Sequence, residues 1–327
     1  MPGWGAGGKG TADGEAGGAS SRDDEKVRGG GGGTKGAAGA PGGSGTLTVA
    51  DAAKVCAAEG RYSVGRLSET VEIVYDNGQL LWKEGGVASN LAYKVVGSGT
   101  GTLGNGWYVV KGTVSRTDRI LVSGAVNLVL LHNSSLTVKS RAEFNPGIEV
   151  SDGNSLRVFG VDSGSLTAMG SRNGAGIGTA RRRLGRTSIC DKCGSVAFYG
   201  GMVTATGGSY SAGIGGGYEG EGGTVTINGG SVTAFGGDGR ASIGGGSPRV
   251  SQGSLTLGPR VFKIDDNHYR EGVEVSFDVP QDLLLFSAKP ESGPFKMTAN
   301  GAIRKACFLP GQRLILAFEA VDFKYRL

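Results

Sequence analysis

The strongest constraint on this chain is a block of short apolar strands and paired glycines that returns at fixed spacing. Three copies align. Ser165-Leu166-Thr167-Ala168-Met169-Gly170 leads to Ala175-Gly176-Ile177-Gly178. Met202-Val203-Thr204-Ala205-Thr206-Gly207-Gly208 leads to Ala212-Gly213-Ile214-Gly215-Gly216-Gly217, and Ser231-Val232-Thr233-Ala234-Phe235-Gly236-Gly237 leads to Ala241-Ser242-Ile243-Gly244-Gly245-Gly246. Val203 to Val232 and Ile214 to Ile243 are each 29 residues, whereas Leu166 to Val203 and Ile177 to Ile214 are each 37. The excess lies in the connection Thr179–Gly194, which has 16 residues where Gly216–Gly223 has 8. A period that changes only by loop insertion marks stacked structural repeats.

Within a repeat, apolar residues take every second place and β-branched types dominate, as in Thr224-Val225-Thr226-Ile227 and Ser231-Val232-Thr233-Ala234. That alternation specifies half-buried strands. Asn228-Gly229-Gly230 and Gly236-Gly237-Asp238-Gly239 supply corners. No helical pattern of 10–15 residues intervenes, which argues strongly against βαβ crossovers. Strands this short fill a core only by stacking coil on coil. The expected fold is therefore all-β, a right-handed parallel β-helix over 107–258. Less regular strands such as Trp107-Tyr108-Val109-Val110 and Asn127-Leu128-Val129-Leu130-Leu131 begin it, and Ser254-Leu255-Thr256-Leu257 ends it.

The flanks differ. Residues 1–45 are Gly, Ala, Ser and charge, and too few apolar groups are present to offset the ordering entropy, so a disordered tail is expected. Residues 46–106 read as an N-terminal cap or subdomain: a short helix from Thr48 toward Gly60, then strands Thr70–Tyr75 and Leu80–Trp82 split by the turn Asp76-Asn77-Gly78. Residues 259–327 lose the glycines and alternate over longer runs, as in Val273–Val279 and Arg313–Phe318, which predicts a small C-terminal β-module or cap.

The form Gly-Gly-Thr-Val-Thr-Ile-Asn-Gly-Gly-Ser-Val-Thr-Ala followed by Gly-Ile-Gly-Gly-Gly resembles the glycine-rich parallel β-helix repeats of bacterial surface proteins, often labelled carbohydrate-binding or pectin-lyase-like. The resemblance covers Trp107 through Gly258. It implies a secreted or cell-surface location and a polysaccharide or cell-surface glycan as partner. The start Met1-Pro2-Gly3-Trp4-Gly5 lacks the basic and apolar regions of a secretory signal.

Charge and composition narrow the classes. Net charge is +5 with 19% charged residues, a weak argument for a nucleic-acid partner. No run of 18 apolar residues predicts a transmembrane helix. Four cysteines are too few for a disulfide scaffold at this length. Cys56 and Cys307 read as small buried side chains.

Candidate ligand-binding residues follow from the insertion and the aromatics. Arg181, Arg182, Arg183 and Arg186 lie in the longer connection, with Arg172 before and Lys192 after. Guanidinium groups there can take a carboxylated polysaccharide or a phosphate through paired hydrogen bonds; the plain alternative is a solvated loop. Tyr199, Tyr210 and Tyr218, with the regular hydroxyls of Thr204, Thr226, Ser231 and Thr233, can face a sugar chain, an ice lattice or another protein, or simply form the solvent face of the strands.

Cys190-Asp191-Lys192-Cys193 is a lone CxxC with no second ligand pair, since His132 and His268 are isolated; a redox or local disulfide role is open ahead of a metal site, and Cys193 before a strand suits packing. No cofactor is expected. A calcium ion shared by Glu219 and Glu221 is the alternative, but the acid in every nine-residue turn of calcium-binding repeats is missing. The acids Asp118, Asp152, Asp162 and Asp238 all sit in turns, where Asp commonly satisfies backbone groups. The sequence therefore points to a noncatalytic surface or adhesive module that binds polysaccharide. A polysaccharide lyase or hydrolase is the competing class, and a structural spacer the third.

Overall fold

A computed structural model describes residues 45–48, 61–161, 163–184, 187–278, 283–290, 293–300, 303–310 and 312–320. The described residues are almost entirely β; one short 3₁₀ turn, Gly237–Gly239, is the exception. The expected helix between Thr48 and Gly60 falls on residues 49–60, outside this set. No helix among the described residues is long and apolar enough to cross a membrane. The chain divides into two compact units: Asp51–Glu274 with Cys307–Pro310, and Met1–Ala50 with Val275–Ala306 and Gly311–Leu327.

In the larger unit the repeat appears as parallel pairing between successive coils. One ladder joins Thr102–Leu103, Ile120–Val122, Ile148–Glu149, Ile177–Gly178, Ile214–Gly215 and Ile243–Gly244 in sequence order. Its register sets Ile120, Ile148, Ile177, Ile214 and Ile243 directly over one another. A second ladder runs through Tyr93–Val96, Gly106–Val110, Ala125–Leu130, Ser155–Gly160, the first halves of Ser195–Thr206 and Thr224–Phe235, and Ser254–Leu257. A third runs through Thr113–Arg116, Ser135–Lys139, Ser165–Met169 and the second halves of the same two long strands. Parallel pairing thus starts at Tyr93, upstream of Trp107. The 37-residue step holds an antiparallel hairpin, Arg181–Leu184 with Thr187–Cys190, so the inserted residues fold locally and leave the ladder register intact.

Alternation does the burying. Leu136 and Val138, Leu166 and Ala168, Val203 and Ala205, and Val232 and Ala234 share one core with the isoleucine column and with Leu128, Val158, Phe198 and Ile227 of the second ladder. Each fully buried aliphatic side chain contributes about 1.5–3 kcal/mol, so a stacked coil is stabilised chiefly by its inward residues. Cys193 belongs to this core; it is a free thiol, and burial pushes it up to about 12. That agrees with the packing role expected for it.

Glycine is obligatory where coils approach most closely. Gly178, Gly215 and Gly244 pair in register with φ of +141°, +129° and +150°. A Cβ on Gly215 would lie 2.0 Å from the carbonyl oxygen of Gly244. No other residue fits such a column.

The strands of 61–91 form a four-stranded antiparallel sheet, Arg61–Arg66, Val71–Asp76, Gln79–Glu84 and Val87–Leu91. Asn77 and Gly78 take positive φ at the expected turn. Val64, Ile73 and Leu80 pack with Val109, Val129 and Phe159, from three neighbouring strands of the second ladder, and with Leu131 just beyond one of them. The sheet therefore covers a flank of that ladder. At the far end, Val261–Lys263 and His268–Glu271 pair with each other, and His268–Glu271 runs antiparallel along Ser231-Val232-Thr233. Glu271 fastens this edge, with one oxygen 2.8 Å from the Arg260 guanidinium and the other accepting the Gly230 N–H at 2.9 Å.

The smaller unit contains one three-stranded sheet and most of a second. In one, Gly45–Thr48 and Leu283–Pro290 flank Arg313–Ala320. Gly45–Thr48, read from sequence as the junction of tail and N-terminal subdomain, thus pairs with a C-terminal strand. The other orders Val273–Asp278, Ile303–Phe308 and Phe295–Asn300.

Candidate functional site

The site begins at one corner of the repeat. Phe144, Asn173 and Tyr210 all take left-handed φ, +65°, +65° and +64°, at the repeat's own spacing of 29 and 37 residues. One period further on the equivalent place is held by Gly239, φ +71°. A non-glycine residue in this region is uncommon and costs on the order of 1–3 kcal/mol. The stacked neighbours therefore hold an aromatic residue, Tyr210, in a conformation it disfavours. Its side chain is 40% exposed.

Asn173, nearly buried, organises what surrounds it. Its carbonyl accepts the N–H of Arg181 at 3.3 Å and that of Tyr218 at 3.2 Å. These two residues come from different coils and are brought side by side by one oxygen. The base of the hairpin is fixed by Thr179, whose Oγ1 donates to the Asp191 carbonyl at 3.0 Å and accepts the Gly217 N–H at 3.3 Å. The Arg181 guanidinium then lies over the Tyr218 ring, 4.9 Å from its centroid. Tyr218 meets Tyr210 edge-on at 5.8 Å. The Arg240 guanidinium, from the next coil, lies 5.7 Å from the Tyr210 centroid.

The result is a run Arg181, Tyr218, Tyr210, Arg240 spanning neighbouring coils. The Nε atoms of both arginines are shielded from solvent and make no hydrogen bond, as expected where a guanidinium rests on a ring face. Among the described residues neither guanidinium has an ion-pair partner.

The expected residues divide accordingly. Arg181, Tyr210 and Tyr218 come together, and Arg172 is exposed beside the Asn173 corner. Arg182 and Arg183 pair through their backbones with Ile189 and Ser188, while their side chains and the whole of Arg186 lie outside the described residues. Tyr199 stands apart. Its ring stacks on Phe159 at 4.9 Å and 8°, beneath the flanking four-stranded sheet, so packing takes up that aromatic face. Arg240 was not anticipated. Its signal was positional: it directly follows Gly239, the residue one period beyond Tyr210.

The other candidates make weaker constellations. Asp152 is exposed, and its carboxylate lies 3.9 Å from Lys192 in a shallow cleft of about 280 Å³ with Asn154, Ser155, Ser195 and Thr224. Asp118 and Asp238 are exposed on other turns, and Asp162 lies outside the described residues. Each histidine meets a serine: His132 Nδ1 and Ser163 Oγ are 2.6 Å apart, His268 Nε2 and Ser231 Oγ 3.1 Å. Among the described residues no three His, Cys, Asp or Glu side chains gather as metal ligands. Thr204 and Thr233 stand in register on the outward side of the third ladder, beside Met202 and Ser231.

Against this geometry, a family model described as a β-helix repeat matches residues 199–218 and 225–247. These segments include Tyr210, Tyr218 and Arg240, and they contain Gly215 and Gly244 of the glycine column. No curated protein and no solved structure matches the chain.

Proposed function

We propose that the coils close into a right-handed parallel β-helix whose side binds polysaccharide without acting on it, as a secreted or cell-surface module. The observation that carries this reading is the Tyr210–Tyr218 pair, 5.8 Å apart and presented at a coil corner. Aromatic rings offer sugars a large apolar face at low ordering cost, and sugar sites combine such faces with a few convergent polar groups. A strained left-handed tyrosine is an expensive way to fill a surface turn, which favours a role beyond packing. The repeat itself supports the architecture: consecutive coils pair in register and share one core.

The test is a glycan array probed with the full chain and with Tyr210→Ala. The chain should bind a subset of glycans, and the variant should bind them at least about tenfold more weakly, a loss of roughly 1.4 kcal/mol. Tyr210→Ala binding every glycan as well as the parent would remove Tyr210 from the site. Release of unsaturated uronides from any polymer would replace the binding reading with the catalytic one.

A further inference from the structure

We infer that the Tyr210–Tyr218 corner selects glycans that carry an anionic group, with Arg181 and Arg240 as the residues that read the charge. The inference rests on the polysaccharide reading above and adds the substrate class to it. Three observations bear on it together. Arg181 and Arg240 lie at opposite ends of the tyrosine pair, one over each ring, at 4.9 and 5.7 Å. Neither has an ion-pair partner among the described residues. Both Nε atoms are shielded and unbonded, so hydrogen bonds to a ligand fall to the terminal nitrogens.

The contrast within the same chain is informative. Arg119 is neutralised by the buried Glu149, 3.0 Å away, and Arg260 by Glu271 at 2.8 Å. At both of these positions the arginine is paired with a carboxylate. Among the described residues Arg181 and Arg240 form no such ion pair, and their two positive charges flank an edge-to-face tyrosine pair. A guanidinium resting over a ring has already lost part of its rotamer entropy, which favours paired hydrogen bonds from its terminal nitrogens to a planar or tetrahedral oxyanion. The tyrosine rings would take the apolar side of a sugar while each arginine takes a carboxylate or sulfate. Placement on neighbouring coils suits a polymer whose charges recur, since one chain can then meet both ends of the site.

The experiment is affinity electrophoresis of the full chain in gels containing polygalacturonate, its fully methyl-esterified form, dextran sulfate or uncharged dextran. Polygalacturonate or dextran sulfate should retard the chain at least tenfold more strongly than the matching neutral polymer, and added salt should weaken the effect. The polymer that retards it separates carboxylate from sulfate as the recognised group. Arg181→Gln/Arg240→Gln should lose at least tenfold on the charged polymer. Lys139→Gln/Arg249→Gln, which removes the same charge from exposed positions elsewhere, should lose less than twofold.

Equal retardation by esterified and free polymer would overturn the inference while leaving the polysaccharide reading intact. Equal losses in the two double variants would also overturn it, by assigning the effect to net charge. Retardation by none of the four polymers, together with an empty glycan array, would overturn the reading beneath it. If the Gln pair fails to fold, Arg181→Lys/Arg240→Lys retains charge and stem but not the planar fork. It should lose several-fold on the charged polymer, and unchanged affinity would count against the inference.

Discussion

Gly215→Ala should abolish stable folding of the parallel unit. The added Cβ would sit 2.0 Å from the Gly244 carbonyl oxygen, with backbone on every near side and no flexible side chain to yield. The residue also holds φ +129°, where an L side chain is itself strained. Relief would require separating two coils whose isoleucines, Ile214 and Ile243, are stacked in register. Strain and overpacking together exceed about 4 kcal/mol, a large part of a domain's total stability. Gly239→Ala supplies the contrast. It has a similarly positive φ of +71° but open space around the new Cβ, so the cost should stay near 1 kcal/mol. Urea unfolding of the two variants measures both. A Gly215→Ala protein as stable as the parent would mean that the coils do not approach as described.

The second large effect is alkaline. Burial pushes the Cys193 thiol from 9.0 up to about 12, because ionising it would place a charge in the apolar core. The folded state therefore keeps the proton after the unfolded chain has lost it. Stability from this group is complete below pH about 9 and is lost as pH rises from there toward 12, to an extent on the order of 4 kcal/mol. Tyr62 and Tyr269, both raised chiefly by burial, add slopes of the same sign. The Cys193 share is isolated by comparing the chain with Cys193→Ala across pH 8.5–11. The variant should begin less stable, by about 1 kcal/mol for the lost packing, and then decline less steeply. Parallel declines would refute a core position for the thiol.

Much of this architecture was legible because its physics is local and repeated. The columns Ile177, Ile214, Ile243 and Gly178, Gly215, Gly244 stand in the sequence at the spacings of 37 and 29 at which the strands pair. Stacked coils must place like residues over like, so the spacing carried the register. The eight extra residues before Gly194 were readable as an insertion for the same reason, though not their hairpin form. Other features depend on long-range packing. Nothing in Arg61–Leu91 says that the sheet will lie on the flank carrying Val109, Val129 and Phe159, since an antiparallel meander buries one face against whatever apolar surface is nearest. Tyr199 resembles Tyr210 and Tyr218 in sequence, and only this long-range packing sets it apart from them.

The site was half readable. Basic and aromatic composition singled out Arg181, Tyr210 and Tyr218, but not their contact, which needs the Asn173 carbonyl to receive two N–H groups from different coils. Arg240 escaped notice because a lone arginine in a glycine turn resembles any solvated charge. Alignment by corner conformation, with Asn173, Tyr210 and Gly239 at one place, would have put it next to Tyr210.

The central claim is that the coils are equivalent units stacked in register. Removing one whole period, Gly223–Ser251, tests it most directly. Ser195–Thr206 would then face Ser254–Leu257 and His268–Glu271 in the places now held by Thr224–Phe235. Calorimetry should show a protein that still unfolds cooperatively, with a transition enthalpy lower by about 20 kcal/mol at roughly 0.7 kcal/mol per residue. A shortened chain with no cooperative transition would contradict the stack.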